Sequence, residues 1–373
     1  METEQDLVQA LTEAARLRSE GNYSAALEHA VQARLLLTES GTATEADTAE
    51  ALAGVLLMEG GLRRHLGDLA QAARTLNEAL TLSEQGGATT EGVRLRLAIQ
   101  GELAAVHRTG GDYEQAERLL RSAIARAKQL PTPAPPELAN LLNELAVTCK
   151  HTGHFTEAEQ LYHQVLALLE RALSSYRLDL AAVHHNLGGL AHARGDFAAA
   201  EPHARRSLAL SEHALGADHP VTAADRAALA AILDALGRHD EAETLLLQAL
   251  EVFTRVYGDD HYEIAGTCNN LAAIAYRRGE LARAEQLYRR SLAIKEQTLG
   301  TLHPELAPTL NNLALLKEDQ GDRPEAAALY QRALAILEGS VSPDHPVLAA
   351  CRANHAALLG AQRGQRPVWP GGG

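Results

Sequence analysis

Aromatic side chains are scarce. Phe, Trp and Tyr make up only 3% of the 373 residues, although hydrophobic residues in total reach 46%. Any core must therefore be filled mainly by Leu and Ala, both strong helix formers. Basic charge is also in deficit. Against 48 Asp and Glu there are 34 Lys and Arg, a net charge of −14, which argues against a nucleic-acid binder, since phosphate neutralisation needs a basic stripe. The cysteines, Cys149, Cys268 and Cys351, are three in number and far apart, which excludes a disulfide framework and suits small buried hydrophobes. No run is long and apolar enough to cross a bilayer, and Met1-Glu2-Thr3-Glu4-Gln5-Asp6 is acidic where an export signal would be basic and then apolar. A cytoplasmic protein is expected. The chain has no P-loop, no GxSxG elbow and no dinucleotide fingerprint, so neither an enzyme nor a cofactor is predicted.

What the chain does have is a period. Gly111, Gly153, Gly195, Gly237, Gly279 and Gly321 stand 42 residues apart, and Gly67 and Gly21 extend the series upstream at intervals of 44 and 46. A fixed period of this length marks stacked supersecondary units that share one continuous core. Around Gly279 the residues Cys268 to Tyr276 and Ala282 to Ile294 carry apolar side chains at helical intervals. Each unit is thus two antiparallel helices, A and B, separated by a turn glycine. Five residues after each glycine comes alanine, from Ala26 and Ala72 through Ala284 and Ala326. Twelve after it the side chain is again small, except for Val165. Eight before it stand Leu103, Leu145, Leu187, Leu229, Leu271 and Leu313, with Glu59 breaking the column in the second unit.

A large residue, a turn glycine and two small residues in this order resemble the tetratricopeptide repeat. The stretch Leu310-Asn311-Asn312-Leu313-Ala314, then Gly321, Glu325-Ala326 and Leu329 to Ile336, with the connector Leu299-Gly300-Thr301-Leu302-His303-Pro304, resembles the longer repeats of kinesin light chains. The closer resemblance covers roughly residues 137 to 356, and it does not extend to the coiled coil by which kinesin light chains join their motor. It implies an all-α, right-handed superhelical solenoid of about eight helix-turn-helix repeats with a C-terminal capping helix. The expected layout is three irregular repeats over 1–130, a Pro-rich connector at 131–136, regular repeats over 137–345, a capping helix at 346–363 and a disordered tail at 364–373. His219-Pro220, His303-Pro304 and His345-Pro346 recur just ahead of A helices, where proline costs no hydrogen bond. One repeat apart, these histidines cannot share a metal ion.

In tetratricopeptide solenoids the A helices line the concave face, so their polar columns are the candidates for contact with a partner. Asn186, Asn270 and Asn312 precede the Leu, and Asn143, Asn269 and Asn311 stand one residue earlier. An amide both donates and accepts, so such a ladder can hold an extended peptide backbone, or it can tie adjacent helices together. A second column, three residues before each glycine, reads Arg18, Arg64, Arg108, Lys150, His192, Asp234, Tyr276 and Glu318. Its basic half suits acidic residues of a partner, unless it is an ordinary solvated face. His185 and His192 share one helix face with His151 nearby, without a recognised metal-ligand set. The expected function is a non-catalytic scaffold or adaptor that binds a protein or extended peptide through Arg108, Asn143, Lys150, His185, Asn186, His192, Asn269, Asn270, Tyr276, Asn311 and Asn312. No metal, cofactor, nucleic-acid or membrane partner is expected. The alternatives are a peptide-sensing receptor acting through a separate effector and, last, an enzyme using the histidine cluster.

Overall fold

A computed structural model describes residues 2–40, 45–85, 89–130, 135–170 and 177–360. Most of the Pro-rich connector and the tail at 364–373 lie outside the described residues. The helices run α1 (Glu2–Ser19), α2 (Tyr23–Ser40), α3 (Glu45–His65), α4 (Leu69–Gln85), α5 (Thr90–Thr109), α6 (Tyr113–Ala127), α7 (Pro135–Thr152) and α8 (Phe155–Glu170). They continue α9 (Arg177–Ala193), α10 (Phe197–Leu215), α11 (Pro220–Ala235), α12 (His239–Tyr257), α13 (Tyr262–Arg277), α14 (Leu281–Leu299), α15 (Ala307–Asp319), α16 (Arg323–Leu337) and α17 (Pro346–Gly360). A short 3-10 turn, Pro304–Leu306, leads into α15, and the described residues contain no strand. The protein is an all-α array of helix pairs with odd-numbered A helices, even-numbered B helices and α17 as the cap.

The periodic glycines end the A helices for a backbone reason. Gly111 has φ 82°, a left-handed conformation that costs glycine little. Its amide donates to Arg108 O at 3.0 Å while the Asp112 amide donates to His107 O at 2.9 Å, the paired closure of a Schellman motif. Asp112 then caps the next helix by accepting from the Gln115 amide at 3.1 Å. Helix stop and helix start thus occupy adjacent residues, and this forces the antiparallel hairpin.

The hairpins close on small residues. All eight alanines that follow the glycines by five are fully buried, from Ala26 to Ala326. A Cβ added at Gly188 of α9 would come within 3.3 Å of the Ala204 amide nitrogen in α10, so the two backbones approach as closely as glycine permits. Large side chains fill the space nine residues after the glycine, with Leu76, Leu120, Tyr162, Leu246, Tyr288 and Tyr330 all buried. The irregular second repeat keeps this scheme by substitution. Glu59 is buried in the leucine column and held by Arg34 at 3.1 Å and Arg63 at 2.9 Å, while its neighbour Gly60 leaves room for Leu76.

The chain forms two compact units. One contains Met1–Thr148 with Gln160–Tyr176, and the other contains Cys149–Glu159 with Arg177–Gly373. In the first, Ala53, Leu56, Ala72, Leu76, Ile99 and Leu103 form a shared core across repeats two and three. In the second, Ala272, Tyr288, Leu313 and Leu316 do the same across repeats seven and eight. The cap belongs to this unit. Leu348 and Cys351 of α17 pack on Leu310, Ile336 and Leu337, and Leu358 packs beside Tyr330.

Candidate partner-binding face

The connector histidines are helix caps. His219, His261, His303 and His345 accept through Nδ1 from the amides of Val221, Glu263, Glu305 and Val347 at 3.1, 3.3, 3.1 and 3.2 Å. An accepting Nδ1 requires the neutral ring with its proton on Nε2. The Pro that follows three of them takes the first helical position, so the two residues together start the A helix.

The charged column and the amide column of the A helices meet one another. In the first unit Arg64 Nε lies 2.5 Å from Glu102 Oε1, and Arg108 Nη2 lies 3.1 Å from Glu144 Oε2. Glu102 and Glu144 occupy the same repeat position as Asn186, Asn270 and Asn312. Burial alone would raise the Glu102 carboxyl, but the charge and hydrogen bond of Arg64 outweigh it and hold the group below its usual value. Asn143 of α7 is half-buried and engaged.

In the second unit the column changes character. Lys150 Nζ lies 3.3 Å from where a Cβ on Gly189 would stand, so the missing side chain makes space for the ammonium group. Asn186 is half-buried and, like Lys150, engaged. His192 is buried. Burial first, and then the Lys150 charge, depress it to about 4 against the opposing pull of Asp234, so the ring is neutral and packs on Phe197 with ring centres 5.2 Å apart. Asp234 itself is held by Arg277 and by His239 at 2.7 Å. Tyr276 donates its hydroxyl to Asp319, and burial first and then that bond raise it well above an ordinary tyrosine. His185 Nδ1 lies 2.7 Å from Asp225 Oδ1, which also accepts from Ser207 Oγ at 2.8 Å. His185 and His192 therefore serve different partners.

The two asparagine columns divide their work. Asn269 Oδ1 accepts from Thr309 Oγ1 at 3.1 Å, and Asn311 Oδ1 accepts from Asn354 Nδ2 of the cap at 3.1 Å. These rungs join α13 to α15 and α15 to α17. Asn270, only 7% exposed, receives a long 3.4 Å bond from Asn269 Nδ2. Asn312 is 1% exposed, and neither its Oδ1 nor its Nδ2 has a partner among the described residues. Buried amides left this way are rare and costly.

A family profile described as tetratricopeptide repeat matches six overlapping stretches, 95–171, 137–213, 179–255, 227–297, 263–339 and 305–366, which together cover well over half of the chain. The protein belongs to the tetratricopeptide repeat family. Among solved structures it is similar to a Rap protein complexed with Competence and Sporulation Factor, at 15% identity and a TM-score of 0.63 over 84% of this chain and 83% of that one. The apo form of RapI aligns at 13% identity and a TM-score of 0.53 over 90% and 99% of the two chains. Kinesin light chain repeats from Podosopora anserina are 27% identical over 55% of this chain and 97% of theirs, with a TM-score of 0.40. At these identities the Rap likeness is one of fold, and the superposition on the kinesin light chain repeats is too loose to support an argument. No protein of curated function matches the sequence.

As a tetratricopeptide repeat protein the chain carries groups that its columns do not announce. Lys295 is buried in α14 and donates to Glu305 O at 2.9 Å and Thr309 Oγ1 at 3.3 Å. Asp225 and Glu305 stand outside the amide and turn columns, and only their acidic character in an apolar context could have marked them. No three His, Cys, Asp or Glu side chains among the described residues could together hold a metal ion. No described helix is long and apolar enough to cross a membrane.

Proposed function

We propose that the protein is a scaffold that binds a protein or extended peptide through the A-helix face of its second unit. One observation carries this reading: the Asn312 amide, buried with a free donor and a free acceptor, in the same column as Asn270 and Asn186. An extended backbone offers a carbonyl and an N–H at close spacing, which is the complement such an amide lacks. In the outer column Asn269 and Asn311 give their Oδ1 to neighbouring helices, and Asn311 keeps only its Nδ2 unpartnered. Among the described residues Asn312 is thus the amide of these columns with both donor and acceptor left for a partner. The complex of a structurally similar Rap protein with a signalling factor supports a peptide-sized partner by analogy of fold alone. A partner with acidic residues would meet Lys150, the basic member of the charged column that lies in the second unit. Free, buried cysteines suit a reducing cytoplasm.

The test is selection of short peptides from a randomised library on the full chain, followed by titration. Asn270→Ala with Asn312→Ala should weaken any selected peptide broadly, by about 1 kcal/mol for each lost hydrogen bond. Asn269→Ala and Asn311→Ala should instead lower thermal stability with a smaller effect on affinity. Equal loss of affinity from both pairs would assign the amides to structure and defeat the reading.

A further inference from the structure

The turn joining α7 to α8 does not stop at its own repeat. Within the second unit it reaches the connector ahead of α15 and the connector ahead of α17, far along the chain. His151 Nδ1 lies 3.2 Å from Glu305 Oε1. The Ser342 amide donates to Thr152 O at 3.0 Å. The rings of Phe155 and His345 lie with centres 6.1 Å apart and planes tilted by 53°. Gly153, at φ 91°, is so close that a Cβ there would stand 3.3 Å from His345 Cδ2 and 3.4 Å from Ser342 Cβ.

The receiving side is organised rather than grazed. Glu305 accepts from the Tyr262 hydroxyl at 3.2 Å through Oε2, which leaves Oε1 for His151. Its carbonyl takes Lys295 Nζ and its amide donates to His303, so the residue is fixed from three sides. Burial would raise the Glu305 carboxyl, but His151 first and Lys295 after it outweigh burial and keep the group ionised. His345 is fixed as the cap of α17. Glycine at 153 is required twice over, by its positive φ and by the space that Ser342 and His345 occupy.

The A helices α9, α11 and α13 lie between these contacts in the chain. The turn precedes that run in the chain and its contacts lie beyond it, so they close this stretch of A helices into a loop within the unit. The polar side chains of the late A helices, Asn270 and Asn312 among them, are buried in the same unit. We propose that the α7–α8 turn is an autoinhibitory latch, which holds the A-helix face of the second unit shut until a partner displaces it. The proposal rests on the binding reading above. One backbone hydrogen bond, one imidazole–carboxylate pair and one ring contact make up the latch, a set small enough for an incoming peptide to outcompete.

The latch can be tightened and loosened separately. Gly153→Cys with Ser342→Cys places two sulfurs where the Cβ separation, 3.4 Å, is at the short end of disulfide geometry. Glu305→Gln with Phe155→Ala removes the ion pair and the ring contact. Peptides selected on the loosened variant should bind it about fivefold more tightly than the wild type. They should bind the oxidised double-cysteine protein about tenfold more weakly than the same protein after reduction. Small-angle scattering of the free proteins should show a larger radius for the loosened variant. Equal affinity of oxidised and reduced protein would overturn the latch, as would unchanged affinity and radius on loosening. Cysteine at positive φ is strained, so if the double-cysteine protein does not fold, the loosened variant decides alone. If no peptide is recovered on any form, the binding reading falls. Scattering then judges the latch by itself: a larger radius supports closure and an unchanged one refutes it.

Discussion

Glu59 is the residue at which the repeat departs most from its own rule. It occupies a leucine position, 2% exposed, and is paired with Arg34 and Arg63. Both arginines are partly exposed, so they can turn to water when the carboxylate is removed. Desolvation of a buried ion can exceed the attraction of its pair. Glu59→Leu, which restores the column, should therefore leave stability unchanged or raise it by about 1 kcal/mol, whereas Glu59→Ala should lower it by about 3 kcal/mol through loss of both pairing and packing. Thermal melting of the two variants decides between them. Glycines in the same helices separate by the same kind of reasoning. A Cβ on Gly60 would lie 2.5 Å from Leu76 Cγ, deep in the core, while one on Gly189 meets only the far end of Lys150. Gly60→Ala should cost about 1–3 kcal/mol by overpacking, and Gly189→Ala should be neutral or gain a few tenths from about 0.8 kcal/mol of helix propensity. If both variants melt alike, the close approach at Gly60 is not real.

At the scale of the helix, the turn glycines and the alanine column were legible because each acts within one hairpin. The role of the connector histidines was not, since a His-Pro pair signals only a helix start, and the accepting Nδ1 is a matter of rotamer. That role has a consequence for pH. Burial first and then the His151 charge depress His345 to about 4 from the ordinary 6.5, with Glu305 pulling the other way. The unfolded chain therefore binds more protons than the folded one between those values, and stability rises with pH across the window. The contribution is complete above about 6.5 and is lost as pH falls towards 4. Glu305 stays ionised over this range and adds no slope. His192, also depressed to about 4, adds slope of the same sign. Melting temperature should fall between pH 7.5 and pH 5, and His345→Asn, which caps without titrating, should make the fall shallower. An identical slope in the variant would mean that the cap at His345 is not formed.

Over the whole chain, the period and the family followed from the sequence because a 42-residue repeat samples the same local geometry again and again. The pairing of Arg64 with Glu102 and Arg108 with Glu144 was half visible: both columns could be read, but their contact depends on the offset between neighbouring repeats. The contact of Thr152 with Ser342 joins residues 190 apart (342 − 152). It depends on small rotations accumulated over several repeats, which no single motif encodes. The cap shows how such an array ends. Helix α17 covers Leu310, Ile336, Leu337 and Tyr330, gives the Asn311 Oδ1 a donor in Asn354, and presents Leu358 O to Arg323. Each repeat is stabilised largely by its neighbour, so removing residues 346–373 should strip the eighth repeat of its outer interface. The truncated protein should lose helix content beyond that of the deleted segment and self-associate through the exposed leucines, whereas removing only 361–373 should do neither. Circular dichroism with size-exclusion chromatography reads both effects. A monomeric 1–345 protein that loses only the helicity of α17 would show that the eighth repeat stands without its cap, and that neighbour interfaces matter less here than in other stacked-repeat proteins.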